Sequence, residues 1–216
     1  MENRCNMKEK IKLIYRILII IVTTIALYLN FKFLGLKEGI VYFTNLSNLI
    51  CLIYFLVLVI QTITHKINKN DTYYIFKGMV TMAITITMFI YNILLSSTDG
   101  MGAFKGHELE CNLVHLVVPL MVIFDYLVFG EKGKLKREYP IIWSLVLILY
   151  QLFVLIYLIL GGRFLNGEIY PYFYMDINKY GVIGVMINCF IVYMFFLGYG
   201  TIVQVLDNLL AKRNKK

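Results

Sequence analysis

Six separate runs of this chain stay apolar for about 20 residues, the length a helix needs to cross the hydrocarbon core of a bilayer. They cover roughly residues 11–33, 40–63, 73–95, 111–129, 139–160 and 181–210 of 216. No water reaches the interior of a bilayer, so each backbone N–H and C=O there must be satisfied inside the spanning structure. Continuous apolar runs lack the alternation of a barrel strand, which leaves helices. The expected fold is all-α: one polytopic membrane domain, residues 1–216, with six transmembrane helices. With 60% of residues hydrophobic, 16% charged and a mean hydropathy of +0.73, a soluble globular domain is excluded.

A net charge of +8 would point to nucleic acid in a soluble protein. Here Lys and Arg fall in short segments between the apolar runs, so they are read as topology markers and no nucleic-acid partner is expected. Arg4, Lys8, Lys10, Lys12 and Arg16 precede or enter the first run, and Lys66, Lys69 and Lys77, assigned to the second loop, precede or enter the third. Lys132, Lys134, Lys136 and Arg137 lie between the fourth and fifth, and Lys212, Arg213, Lys215 and Lys216 end the chain. These make sixteen of 21 basic residues on one side, against Lys32, Lys37, Lys105, Arg163 and Lys179 on the other. Basic loops stay in the cytoplasm, so both termini are expected there. The Lys, Asn and Ile bias fits an AT-rich bacterial genome, and the expected location is the bacterial cytoplasmic membrane. The first run is longer than a signal-peptide core and no small-x-small pattern follows Asn30, so it is read as a retained span.

Cys5, Cys51, Cys111 and Cys189 form no CxxC pair, and at least two lie within apolar runs. Neither a disulfide framework nor a zinc site is expected, and no other cofactor.

Functional groups concentrate near one surface. The second run enters from outside as "YFTNLSNL", which puts Thr44 about four residues, roughly 6 Å, below its outer end. Thr44, Ser47, Asn48 and Cys51 are spaced i, i+3, i+4 and i+7, a polar stripe on one helical face that should turn away from lipid. The fourth run also enters from outside, and in "CNLVHLVVPL" it places His115 at the same depth. Pro119 has no N–H for the His115 carbonyl, so the helix should bend there. Tyr91 and Asn92 end the outward-rising third run, and Asn188 lies about two turns into the sixth. Asn and Thr in membrane helices commonly serve as interhelical glue worth about 0.6 kcal/mol. An intramembrane histidine more often marks a site, so Thr44, Asn48, Asn92, His115 and Asn188 are candidates for one.

The stretches "YFTNLSNL", "HLVVPLMVIFDYLVF" and "YPYFYMDINKYG" resemble the bacterial six-helix membrane proteins of the Pr6Pr type, a group similar to the eukaryotic androgen-induced gene 1 and FAR-17a proteins. The resemblance covers most of the chain and agrees in helix number. It implies an intramembrane hydrolase of fatty acyl esters, with the second-helix threonine, Thr44, as nucleophile and the fourth-helix histidine, His115, as its partner. The implied partners are membrane lipids and an amphiphilic acyl substrate; nothing in the sequence names a protein partner. An imidazole is a suitable base for a threonine hydroxyl, and Asn48, Asn92 or Asn188 would serve as substrate-binding or oxyanion donors.

Asp125 is no third triad member, because ten helical residues separate it from His115 by about 15 Å; Tyr or Lys groups near the inner surface are its expected partners. Cys111, one turn before His115, is a rival nucleophile, although a thiol there is usually a small apolar residue. The loop "GGRFLNGEIYPYFYMD" could cover the site or form an interfacial aromatic belt. Two other functions fit the same residues: a small-solute or proton-linked transporter, and a non-catalytic membrane partner protein. A transporter would more often carry its polar groups at the midplane of repeat-related halves.

Overall fold

The computed structural model describes residues 2–95 and 107–213. Among them are six helices long and apolar enough to cross a membrane: α1 (Glu2–Leu34), α2 (Phe43–Ile63), α3 (Asp71–Phe89), α4 (Glu108–Phe129), α5 (Tyr139–Ile159) and α6 (Ile177–Arg213). The chain is thus an all-α polytopic membrane protein. Of the topology-marking charges, Lys105, Lys215 and Lys216 lie outside the described residues.

Several ends differ from the periodicity-based expectation, each for a local reason. α2 starts at Phe43 rather than near residue 40, because the chain first makes a short helix, Leu36–Gly39, entered through Gly35 at φ 81°. α3 starts at Asp71, where the Asn70 side chain caps it by accepting from the Tyr73 N–H at 3.0 Å. α6 starts at Ile177, four residues early, and carries a break at Gly181 with φ 65° and ψ 173°. That backbone conformation is essentially restricted to glycine. No atom beyond the local chain lies within 4 Å of where a Cβ would stand, so Gly181→Ala is expected to cost about 1–3 kcal/mol through backbone strain alone. Thermal unfolding in detergent checks this.

The chain divides into two compact units, Met1–Phe33 with Thr44–Glu131, and Leu34–Phe43 with Lys132–Lys216. In the first, Ile19, Ala26, Cys51, Phe55, Ile84 and Val118 form the centre of a close-packed core. Lipid tails are as apolar as these side chains, so packing and interhelical hydrogen bonds hold such helices together. Ser47 meets Thr87 of α3 at 2.9 Å, and the Tyr15 hydroxyl of α1 donates to the Met121 carbonyl of α4 at 3.0 Å. Arg16 of α1 grips Asp125 of α4 through two bonds, Nε to Oδ1 at 2.8 Å and a terminal nitrogen to Oδ2 at 3.3 Å. The partner of Asp125 is therefore an arginine from the first helix, not the Tyr or Lys expected. Arg16 is likewise no surface topology marker: both side chains are 3% exposed.

In the second unit, Trp143 and Tyr139 of α5 are buried, and Tyr150 donates to the Val41 carbonyl at 3.1 Å. The α4–α5 loop is tied to α6 by Asp207, which accepts from the Gly133 and Lys134 N–H groups, while Gln204 and Asn208 donate to the Leu135 carbonyl. The aromatic α5–α6 loop packs on Tyr42: its ring meets Phe164 edge-on, and its hydroxyl accepts from the Leu165 N–H at 3.0 Å.

Candidate active site

Thr44 is the second residue of α2. Its carbonyl accepts from the Ser47 hydroxyl at 2.9 Å and from the Asn48 amide at 2.8 Å, so the stripe read from spacing closes on the backbone of Thr44. Ser47, Asn48 and Cys51 are buried at 2%, 0% and 0% exposure, as a face turned from lipid must be, while Thr44 is half-buried. The Asn48 amide also donates to the Val114 carbonyl of α4 at 3.1 Å. One amide bond thus stays within α2 and the other ties α2 to α4 at the level of Thr44. Asn48→Ala is expected to lower stability by about 1 kcal/mol, within the range for interhelical bonds in bilayers. An unchanged unfolding temperature would mean that this bridge contributes nothing.

The bend expected at Pro119 takes a specific form. Residues Leu113–Val117 are a π-helix, in which the Val118 N–H reaches back to the Leu113 carbonyl. One extra residue in a turn turns the following side chains and relieves the ladder where Pro119 lacks a donor. The His115 carbonyl then accepts from the Asn92 side chain at 3.4 Å. Asn92 stands in a second π-helix, Ile90–Leu95, which extends α3, and its amide also donates to the Met88 carbonyl at 2.8 Å. Two irregular turns therefore meet at His115. π-turns recur at functional sites.

His115 is 7% exposed. Its Nε2 lies 3.2 Å from Thr44 Oγ1, and its Nδ1 lies 2.8 Å from the Cys111 carbonyl oxygen. A carbonyl only accepts, so Nδ1 carries the hydrogen. In the neutral ring Nε2 then presents its lone pair to the Thr44 hydroxyl, the orientation that proton abstraction from that hydroxyl requires. The Tyr91 ring stacks on the imidazole at 3.8 Å between centroids and 18° between planes. The Cys111 thiol donates to the Tyr91 hydroxyl at 3.0 Å and lies 3.6 Å from Nδ1. Its place is behind the imidazole, on the side away from Thr44.

Four of the five candidate residues thus gather in one unit. Thr44 and His115 touch through their side chains, and Asn48 and Asn92 hold the backbone beside them. Asn188 belongs to the other unit, where its amide donates to the Tyr174 carbonyl at 3.0 Å. Sequence reasoning had no means of assigning the Cys111 carbonyl its role, since any residue would supply that oxygen. The Tyr91 stack carried a weak signal, an aromatic residue at the depth of the histidine. Among the described residues, no three of His, Cys, Asp and Glu converge as a metal-binding group.

These contacts make a partly buried Thr–His pair in a membrane protein whose described residues include six helices of spanning length. Comparison with protein-family models, with curated proteins and with solved structures finds no match.

Proposed function

We propose that this protein is an intramembrane hydrolase of lipid or fatty acyl esters, with Thr44 as nucleophile and His115 as general base. The observation that carries the reading is the 3.2 Å contact between Thr44 Oγ1 and His115 Nε2, with the imidazole held in the accepting tautomer by the Cys111 carbonyl. The resemblance to the Pr6Pr-type proteins points to the same two residues.

In the first step Thr44 Oγ1 bonds to the acyl carbon as its proton passes to His115 Nε2. Collapse of the tetrahedral adduct breaks the ester C–O bond, and the imidazolium returns the proton to the departing alcohol. Water, deprotonated by the same nitrogen, then releases the fatty acid and restores Thr44. The Cys111 carbonyl stands where a carboxylate stands in a Ser–His–Asp triad, orienting the ring through a dipole rather than a charge. Neither Asn48 nor Asn92 is the oxyanion donor, because their side-chain hydrogens serve backbone carbonyls. A half-buried Thr44 close to a helix end suits an amphiphile entering from the outer leaflet, with the basic segments facing the cytoplasm of a bacterial cell.

Purified protein incubated with a panel of long-chain acyl esters is expected to release free acid and to trap an acyl group on Thr44, seen by peptide mass spectrometry. An adduct mapping only to Cys111 would move the nucleophile to the thiol and overturn this assignment.

A further inference from the structure

A second feature lies away from the Thr–His pair. Between α2 and α3 runs a groove of about 510 Å³. On α2 it is lined by Ile50, Ile53, Tyr54, Val57 and Gln61, a strip turned roughly 140° around the helix from Thr44 and Asn48. Ile53 and Val57, with Phe76 across from them on α3, are each about half exposed, so the groove opens outward from the protein.

Its lining is graded. The part toward the middle of α2 is aliphatic and aromatic, whereas the end at the α2–α3 loop is formed by Gln61, Asn68, Asn70 and Thr72. From Ile50 to Gln61 the groove follows α2 for roughly 16 Å, about half of a hydrocarbon core some 30 Å thick and hence the depth of a single leaflet. Lys66, in the same loop but outside the lining itself, is exposed, and its backbone N–H donates to the Gln61 carbonyl at 2.9 Å. Lys69 is engaged by Glu131. Asn70 uses its side-chain oxygen to cap α3, which leaves its amide hydrogens as the donors to a ligand. The buried Tyr54 hydroxyl, also in the lining, makes no hydrogen bond of ordinary geometry among the described residues.

We propose that this groove holds one acyl chain of a membrane phospholipid, with the lipid phosphate at Asn68, Asn70 and Lys66. An unfilled groove facing lipid forfeits dispersion contacts along its length, and an acyl chain restores them. Chain burial does not distinguish one lipid from another, because the surrounding bilayer is equally apolar. Selection therefore comes from the loop end, where amide donors and a cation match an anionic phosphate rather than a neutral headgroup. The site is independent of the proposed hydrolase and survives its failure.

The test is native mass spectrometry of the full chain in detergent, titrated with dipalmitoyl phosphatidylglycerol and, separately, with palmitate. One phosphatidylglycerol is expected to remain bound. Val57→Trp or Ile53→Trp, both at outward-facing positions that tolerate bulk, fills the groove and is expected to lower occupancy about fivefold or more, equivalent to about 1 kcal/mol. Leu56→Trp, equally outward-facing but off the groove, is the control and leaves occupancy unchanged. Lys66→Glu is expected to weaken phosphatidylglycerol by a similar factor through repulsion of the phosphate. Full retention in both groove-filling variants would overturn the site. Palmitate held as tightly as the phospholipid, with Lys66→Glu without effect, would overturn the assignment of the occupant.

Discussion

Thr44→Ala and His115→Ala are each expected to lower ester turnover by about 10²–10⁴, the usual contribution of a positioned base and the nucleophile it serves. The two changes should not add. Once the hydroxyl is gone, Nε2 has no proton to take, so the double variant is expected to be no slower than the worse single one. Thr44→Ser keeps a hydroxyl on the same helical turn and is expected to retain turnover, and His115→Gln, which keeps polarity but offers no comparable base, is expected to fail. Thermal unfolding of each variant separates lost chemistry from lost structure. Turnover in Thr44→Ala and His115→Ala equal to that of the unaltered protein would leave the 3.2 Å contact as a helix-bridging bond.

Asp125→Ala is expected to destabilise the protein by about 3–5 kcal/mol, because it strands the Arg16 guanidinium at a place with 3% exposure. The double replacement Arg16→Leu with Asp125→Leu is expected to recover most of that loss. An ion pair removed whole takes its desolvation penalty with it, whereas an ion pair halved leaves the penalty uncompensated. Arg16→Lys is expected to fall between, since an ammonium cannot reproduce the two-pronged contact with both carboxylate oxygens. Reversible unfolding in bicelles reads all four proteins. A double variant as unstable as Asp125→Ala would mean that leucine cannot pack there and that the coupling is not electrostatic.

How far the site was legible differs from residue to residue. The stripe Thr44, Ser47, Asn48, Cys51 follows from helical spacing alone, and its burial agrees with the rule that polar groups turn from lipid. The depth match of Thr44 and His115 needed only the position of each residue from its helix end. Asp125 was read correctly as no part of a triad, since rise per residue settles that, but its partner was misassigned. Arg16 lies only five residues into the first apolar run, and its membership of a basic amino-terminal segment concealed a side chain reaching sideways into the protein. The Pro119 bend was legible as a missing donor, whereas its resolution as a π-turn depends on which neighbour can serve the freed carbonyl. That neighbour, Asn92, sits 23 residues away on another helix.

By itself the sequence determined the number and kind of spans, because a bilayer forces each backbone group to be satisfied within its own segment, and that is a property of consecutive residues. Which side chains meet across helices was decided only by the tertiary structure. The hydrogen on His115 Nδ1, the lone pair aimed at Thr44 and the grip of Arg16 on Asp125 all depend on how one helix is rotated against the next. That rotation is set by packing between residues far apart in the chain.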